Sequence, residues 1–318
     1  MKVFITGGTG NIGQYVTLAV IAAGHEAIVL TRNPEKYPSY STDKTLAAKI
    51  NLVKGLITDK NVLTEAVKGC DAVIHLALGW GNEPVSMLMN DTAATINLLE
   101  IAEKAGVKKF IYTSSTAAMG HMRNGMDETA VNLPIDLYGS TKSASEAYVL
   151  GFTKYFGEPS EGGSNEVRMK RNIIRPGYTY STPPFPDGST QSDDRFRKIA
   201  ESVINNKPVK LIKYDGTQFI SSGEIAQLYL RLLESDKNGE IYLALGNIFT
   251  SWEQIAKIAM ELYPDTKSEI VFTDLNWSKE PVLYCVKKME RDFGLSFDSQ
   301  KELREHIKWN IDEALKKN

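Results

Sequence analysis

A tyrosine and a lysine four residues apart, Tyr138 and Lys142, are the pair in this sequence best suited to acid–base chemistry. They fall at the start of a predicted helix, where side chains at i and i+4 share one face. An ammonium about 5 Å from a phenol, at an effective dielectric of about 20, contributes roughly 3 kcal/mol and lowers the phenol pKa by about two units. We therefore expect Tyr138 to exchange a proton with a substrate near neutral pH.

Hydroxyl side chains precede this pair at the end of a predicted strand. The strand covers residues 110–114, and Ser115 follows its carboxyl end. Open α/β sheets bind their ligands at that edge, where a hydroxyl can donate to a substrate oxygen whose charge changes. Ser115 is the predicted donor, and Ser114 and Thr116 are neighbouring alternatives.

A glycine-rich turn opens the chain. Residues 3–6 form a predicted strand that runs into TGGTGNIG, residues 6–13, where a helical pattern begins. Glycines allow a tight turn and let backbone N–H groups approach a pyrophosphate, which the helix N-terminus also attracts. The residues predicted to bind a dinucleotide here are Gly7, Gly10, Asn11, Ile12 and Gly13. A tight turn without a ligand is the alternative.

The end of the second predicted strand, residues 27–31, bears on which dinucleotide binds. NAD enzymes commonly have an acidic side chain at this point, which holds the ribose hydroxyls. This chain has Thr31 and Arg32 instead, and an arginine can pair bidentately with a 2′-phosphate. The pattern favours NADP. NAD is the alternative if Arg32 is only solvated or stacks on adenine.

Strand and helix patterns alternate through the first half of the chain. The predicted strands cover residues 3–6, 27–31, 51–54, 72–77, 110–114 and 171–175, and a helix is predicted over residues 85–106. This alternation predicts an α/β fold with a doubly wound parallel sheet of the Rossmann type. We predict a dinucleotide-binding domain over residues 1–177 and a smaller α/β substrate-binding region over residues 178–318. Residues of about 215–246 are expected to return to the Rossmann sheet, and residues 157–165 resemble a surface insertion.

Composition excludes several classes of protein. The 318 residues carry a formal net charge of -2, which gives no global field for nucleic acid or an anionic membrane. Cys70 and Cys285 lie far apart without a Cys/His cluster, so neither a disulfide framework nor a metal site is predicted. The sequence has no signal-peptide pattern and no long apolar run, and we expect a cytoplasmic protein.

Together these motifs resemble the extended short-chain dehydrogenase/reductase family, which includes NAD(P)-dependent epimerases, dehydratases and reductases. The resemblance covers nearly the whole chain. It rests on TGGTGNIG, AVIHLA, NDTAATINLLEIAEKAGVKKFIYTSS, Glu128 before YGSTK, IIRPG and GEIYLALGN. It implies that Tyr138 is the acid/base, that Lys142 also holds the nicotinamide ribose and that Ser115 polarises the substrate.

The same resemblance extends the predicted site. It implies that Leu56, Ala77 and Pro176 contribute to the cofactor site. Position alone, in the loops after the fourth and fifth strands on the ligand side of the sheet, places Trp80 and His121 at the substrate pocket, which Thr116, Tyr178 and Tyr180 are also expected to line. Asn90 matches a family asparagine, whereas His75 is interpreted as a hydrogen-bonded strand residue with no functional role. A homodimer is expected through the two helices that follow the fourth and fifth strands.

Two departures from the family pattern bear on the substrate. The residue after Gly55 is Leu56, where relatives often have an acid that contacts adenine. Residues 216–224 lack the arginine that pairs with substrate phosphate in nucleotide-sugar enzymes. The leading hypothesis is an NAD(P)-dependent oxidoreductase acting at a carbonyl or carbinol carbon of a small or sugar-like substrate. A nucleotide-sugar epimerase or dehydratase that retains NAD, and a non-catalytic NAD(P)-sensing protein, are the alternatives.

Overall fold

The computed structural model describes residues 1–42, 44–79, 83–152, 169–189 and 193–317. The strands are β1 (Lys2–Thr6), β2 (Glu26–Thr31), β3 (Ile50–Lys54), β4 (Ala72–His75), β5 (Lys109–Thr113), β6 (Lys170–Pro176), β7 (Thr179–Tyr180), β8 (Val209–Ile212), β9 (Gly216–Thr217), β10 (Ile220–Ser221), β11 (Glu240–Ala244), β12 (Thr250–Ser251) and β13 (Ile270–Thr273). The α-helices are α1 (Asn11–Ala22), α2 (Ser39–Thr42), α3 (Lys44–Ala47), α4 (Lys60–Val67), α5 (Pro84–Met87), α6 (Ala94–Lys104), α7 (Leu137–Gly151), α8 (Arg195–Ile204), α9 (Ser222–Glu234), α10 (Trp252–Leu262), α11 (Lys287–Phe293) and α12 (Gln300–Leu315).

The main sheet confirms the predicted fold class. Within the described residues it has seven parallel strands in the order β3-β2-β1-β4-β5-β6-β11. The order reverses between β1 and β4, and open α/β sheets bind ligands in the crevice at such a point. Strand β11, from the second half of the chain, pairs with β6 through Ala244 and Pro176.

Apolar side chains cover both faces of this sheet, which is why its strands are near-continuous hydrophobic runs. On one face, Val16 and Val20 of α1 pack with Leu228 and Leu232 of α9. On the other face α4, α6 and α7 are buried against β4 and β5. Helices therefore flank the main sheet on both faces.

The remaining elements form a smaller layer around a third apolar cluster. Phe196, Trp252 and Ile307 belong to α8, α10 and α12, and all three are buried in it. Capping boxes at Ser221 and Ser251 begin α9 and α10, because each serine and the residue three positions later satisfy one another's backbone N–H.

The helix predicted over residues 85–106 is interrupted. A π-helical turn, Leu88–Ala93, joins α5 to α6 and adds one residue to the helical repeat. The predicted insertion at residues 157–165 lies outside the described residues. None of the helices in the described part of the chain combines the length and the apolar character needed to cross a membrane.

Candidate active site

The glycine turn brings the start of α1 against β1. Gly7 has a φ of 70°, and the Gly10 N–H donates to the Gly7 carbonyl oxygen at 2.9 Å. A Cβ on Gly13 would lie 1.9 Å from that same oxygen. Position 13 therefore has to be glycine for the helix to approach the strand this closely.

The α1 N-terminus has the features of an anion site. Its first residue follows Gly10, no side chain caps it, and its first turn has no acidic residue. The unpaired N–H groups and the helix dipole attract negative charge. A pyrophosphate would complete them, so the turn fits a dinucleotide, with Gly7, Gly10, Asn11, Ile12 and Gly13 as the residues that would hold it.

Lys142 lies in the second turn of α7, and its side chain lies beside the carboxyl end of β5. Its side chain is buried, its Nζ donates to the Thr113 carbonyl oxygen at 3.2 Å, and it lies 3.5 Å from Asp91 Oδ2. Burial lowers the pKa of Lys142, while the Asp91 and Glu146 carboxylates raise it. Asp91 is thus the ion-pair partner of the predicted catalytic lysine.

The structure brings Tyr138 and Ser115 together. Ser115 caps the 3₁₀ turn Thr116–Met119, accepting from the Ala117 N–H at 3.2 Å, and its side chain also hydrogen-bonds Tyr138. The neighbouring Ser114 hydroxyl is buried and has no hydrogen-bond partner among the described residues. Of the three candidate hydroxyls, Ser115 is the one that contacts the tyrosine.

The proton affinity of Tyr138 differs from the sequence-based expectation. Burial raises the pKa of Tyr138, the hydrogen bond from Ser115 lowers it, and the carboxylates of Asp91 and Asp136 raise it. Lys142 Nζ is 5.9 Å from the Tyr138 ring centroid. The expected net lowering is absent because the desolvated phenolate is unfavourable and because Asp91 offsets the ammonium charge.

His75 lies beneath the site as a hydrogen-bonded strand residue. Its Nδ1 is 2.6 Å from Thr6 Oγ1 and its Nε2 is 3.0 Å from Thr95 Oγ1. Burial lowers the pKa of His75 to about 3, so the ring is neutral. Because the Thr95 hydroxyl donates to the Asp91 carbonyl oxygen at 2.8 Å, the geometry assigns the ring proton to Nε2 and makes Nδ1 the acceptor.

A buried ion pair fixes α7 to β6. The Arg175 guanidinium donates to both carboxylate oxygens of Glu146, at 2.8 and 2.7 Å, and to Asn132 Oδ1 at 2.9 Å. Both charged side chains are about 3% exposed. The pair holds Pro176, the predicted cofactor contact that ends β6, beside the helix that carries Tyr138.

The predicted cofactor contacts at the strand ends lie along the carboxyl edge. Arg32 follows β2 and is exposed. Leu56 follows β3 and is 53% exposed. The Ala77 N–H after β4 donates to Thr6 Oγ1 at 3.1 Å. Each follows a different parallel strand, so all three lie on the edge where the glycine turn lies.

The predicted pocket residues are distributed more widely. Thr116 begins the 3₁₀ turn beside Ser115 and hydrogen-bonds Tyr284, and His121 is exposed further along the same loop. Tyr178 packs edge-on against Phe219, with ring centroids 4.8 Å apart, in the third apolar cluster.

Two pocket predictions have a different outcome. Tyr180 is buried, and its hydroxyl donates to the Ser299 carbonyl oxygen at 2.9 Å, so the structure places it in the core of the smaller layer and not with Ser115 and Tyr138. Trp80 lies outside the described residues.

Two features of the site were missed by reasoning from the sequence. Asp91 is the one charged residue between Pro84 and Leu99, and that position in a helical segment was a signal for a buried partner. Residues 181–189, which we call the strap, cross the start of α1. Gln14 Nε2 donates to the Ser189 carbonyl oxygen at 2.6 Å, and the Tyr15 hydroxyl donates to the Thr182 carbonyl oxygen at 2.5 Å.

The sequence of this chain matches a known protein family. Residues 3–244 match the sequence profile of the NAD dependent epimerase/dehydratase family. The chain belongs to this family. The match covers the glycine turn, the Ser115–Tyr138–Lys142 group and β11, the last strand of the main sheet.

Individual relatives in the family are distant. Over 165 residues the chain is 30% identical to the 3 beta-hydroxysteroid dehydrogenase/Delta 5-->4-isomerase of Mycobacterium tuberculosis, a match that covers 47% of this chain and 42% of the relative. Over 186 residues it is 31% identical to the decarboxylating sterol-4-alpha-carboxylate 3-dehydrogenase of Dictyostelium discoideum, covering 55% and 52%. These matches span about half the length of the relatives. The human dTDP-D-glucose 4,6-dehydratase is 24% identical over 98% of this chain and 89% of its own length.

Solved structures share the fold over the whole chain. The UDP-glucuronic acid 4-epimerase of Bacillus cereus in complex with NAD has a TM-score of 0.80 at 18% identity, covering 99% of each chain. The UDP-glucose 4-epimerase of Thermotoga maritima with UDP-glucose has a TM-score of 0.75 at 21% identity, covering 100% of this chain and 99% of its own.

Proposed function

We propose that this chain is an NAD(P)-dependent oxidoreductase that transfers a hydride at a carbonyl or carbinol carbon of a small or sugar-like substrate. The observation that carries the proposal is the hydrogen-bonded Ser115–Tyr138 pair beside the buried Lys142, at the sheet edge that also bears the uncapped start of α1. A nicotinamide supplies or accepts the hydride when it is bound.

Side chains of the protein transfer the proton and stabilise the charge that results. In the reducing direction, Ser115 donates a hydrogen bond to the substrate oxygen and Tyr138 transfers its phenolic proton to that oxygen as negative charge develops there. The raised pKa of Tyr138 means that the phenol holds its proton at rest, as a proton donor must. The Lys142 ammonium and the Ser115 hydroxyl then stabilise the phenolate until it is reprotonated.

We propose NADP as the preferred cofactor and NAD as the alternative. Arg32 is exposed at the end of β2 and forms no ion pair with another described residue, which leaves its guanidinium available for a 2′-phosphate. The residues proposed to hold the rest of the dinucleotide are those of the glycine turn together with Leu56, Ala77, Lys142 and Pro176.

The substrate is proposed to lack a nucleotide diphosphate. The segment that carries the phosphate arginine in nucleotide-sugar enzymes here contains Gln218, which is buried. Its amide nitrogen donates to the carbonyl oxygens of Gly246 and Tyr284, and its amide oxygen accepts from the Tyr284 N–H. The Gln218 side chain therefore hydrogen-bonds backbone groups and does not take the place of the phosphate-binding arginine. Steroid and sterol dehydrogenases among the relatives act on substrates without a diphosphate, and we propose Thr116, His121 and Tyr178 as substrate contacts.

The test separates cofactor binding from chemistry. Calorimetric titration with NADPH and NADH, repeated on Arg32→Ala, should give a preference for NADPH that collapses in the variant. Oxidation of NADPH is then followed at the absorbance of the reduced nicotinamide with a panel of ketones and aldehydes. Tyr138→Phe should lose about 100-fold or more in kcat while keeping its dinucleotide affinity. Tyr214→Phe, at an exposed tyrosine between β8 and β9, is the matched control.

Other outcomes identify the alternatives. A protein that is purified with tightly held NAD, and that turns over a nucleotide sugar without net oxidation of cofactor, is the epimerase or dehydratase. Dinucleotide binding without turnover of any substrate, together with a partner interaction unchanged in Tyr138→Phe, is the sensor. Failure to bind either dinucleotide would refute the cofactor site itself.

We also propose that the chain is a cytoplasmic homodimer. Exposed apolar side chains lie on the helical segment after β4 and on α7, which pack beside each other. They are Val85, Leu88, Met89, Leu137, Tyr148 and Leu150. Two copies of such a face would bury one another. Light scattering should give twice the mass of the chain, and a Leu88→Glu variant should give the monomer mass; a monomeric wild type would refute the proposal.

A further inference from the structure

A carboxylate is buried directly beneath the tyrosine–lysine pair. Asp91 lies in the π-helical turn and is 1% exposed. The loop after β4 packs tightly on this turn, since a Cβ on Gly79 would lie 2.0 Å from the Asn90 carbonyl oxygen. A charged group so far from water has to be stabilised by an opposite charge or by several hydrogen bonds.

The polar contacts of Asp91 are few. The Gly79 N–H approaches Oδ1 at 3.5 Å, a long hydrogen bond. Oδ2 faces the Lys142 ammonium at 3.5 Å, the one charged partner that the described residues give it. The stabilisation of this carboxylate therefore comes mainly from Lys142.

The other titratable groups around Lys142 contribute less than Asp91. Glu146, one turn further along α7, raises the pKa of Lys142 less than Asp91 does, and its carboxylate is held by both arms of Arg175. His75 is neutral and buried. Burial raises the pKa of Tyr112 far above its usual value, and it also raises the pKa of Tyr138. Both phenols are therefore uncharged in the resting protein.

We propose that Asp91 is a positioning residue that keeps Lys142 charged and in place, which makes the proton-handling unit a tyrosine, a lysine and an acid. The catalytic part of this role of Asp91 rests on the proposed function. A lysine buried without a partner loses its proton at much lower pH than one in water. A neutral Lys142 would neither stabilise the Tyr138 phenolate nor attract the ribose hydroxyls.

The first test follows NADPH affinity against pH by the fluorescence of the bound nicotinamide. Wild type should bind with nearly constant affinity from about pH 6 to pH 9. In Asp91→Asn, which keeps the shape of the side chain, affinity should fall at a pH at least one unit lower than in wild type, because Lys142 deprotonates earlier. Thr92→Val, in the same π-helical turn as Asp91, is the matched control. It removes the hydrogen bond that Thr92 Oγ1 donates to the Thr141 carbonyl oxygen and the one that it accepts from the Ser145 hydroxyl, without a change in charge.

A second test needs no ligand. Urea unfolding is measured against pH for wild type, Asp91→Asn, Lys142→Met and the double variant. In Asp91→Asn the folded pKa of Lys142 falls further below its unfolded value of about 10.4, so stability should rise with pH more steeply than in wild type. The double variant should lose this slope. The double-mutant cycle formed by these four proteins should show that Asp91 and Lys142 are coupled by a factor of at least about ten in the unfolding equilibrium constant.

The outcomes separate the two proposals. Equal pH profiles for Asp91→Asn and wild type, with no coupling in the cycle, would overturn the role of Asp91 while leaving dinucleotide binding intact. A strong coupling in a protein that binds neither NADH nor NADPH would refute the proposed function and retain the ion pair. A shift as large in Thr92→Val as in Asp91→Asn would reduce Asp91 to a purely structural residue.

Discussion

Replacement of Gly13 by alanine tests whether the glycine turn is built for close approach. The added Cβ would lie 1.9 Å from the Gly7 carbonyl oxygen and 2.7 Å from Gly8 Cα. The start of α1 must therefore move by about 1 Å, a strain that typically costs 1–3 kcal/mol in a packed site. The displaced N–H groups would also lose charge-assisted hydrogen bonds to a phosphate, each of which contributes about 1.5–3 kcal/mol.

From these magnitudes, we expect Gly13→Ala to weaken NADPH or NADH binding by at least about tenfold for each hydrogen bond lost, measured by calorimetry. Gly151→Ala is the matched control, because a Cβ there meets no atom of the described residues within 4 Å and alanine has a higher helix propensity than glycine at the end of α7. It should bind as wild type does and be as stable or slightly more stable. Unchanged affinity in Gly13→Ala would show that the turn either relaxes freely or does not bind phosphate.

Further predictions concern the groups that support the site. Glu146→Ala should cost about 3–5 kcal/mol in urea unfolding, because it leaves the buried Arg175 guanidinium without its carboxylate; a loss below 1 kcal/mol would mean that water reaches the pair. His75 has a folded pKa of about 3, below its unfolded value, so its contribution to stability is present above about pH 6.5 and falls as the pH decreases. Between pH 7.5 and pH 5 wild type should lose about 2 kcal/mol more than His75→Gln, and parallel curves would contradict this. Gly188→Val should loosen the strap, since its Cβ would lie 2.3 Å from Gln14 Oε1, and faster hydrogen exchange over residues 181–189 is the measurement; unchanged exchange would show that the strap does not depend on this contact.

The sheet and the glycine turn could be predicted because their signals are local. A strand buried on both faces must be a short apolar run, and β1, β4 and β5 are such runs. The close approach of α1 to β1 needs glycine at one position, and Gly13 is there. In each case neighbouring residues along the chain determine the structure, so the sequence pattern carries the information.

The pairing of Tyr138 with Lys142 was predictable, but its electrostatics were not. Helical spacing places both residues on one face of α7, and the structure has them there. The pKa of Tyr138 depends on how completely the phenol is buried and on the carboxylates of Asp91 and Asp136. Burial is set by the packing of several elements, so a pairwise charge calculation from the spacing gave the wrong direction.

Asp91 and the strap depend on contacts between distant parts of the chain. The π-helical turn adds one residue to the helical repeat, and the side chain that meets α7 is then not the one that a regular helix would present. Strap contacts join residues more than 140 positions apart: the Ser39 N–H donates to Asp187 Oδ2 at 2.9 Å, and the Tyr40 and Phe185 rings lie 4.8 Å apart. Neither contact leaves a periodic signal. Because the strap follows directly on β7, the segment that enters the smaller layer is also the one that packs on the start of α1. The strap thus joins the two parts of the proposed site through contacts between residues far apart in the sequence.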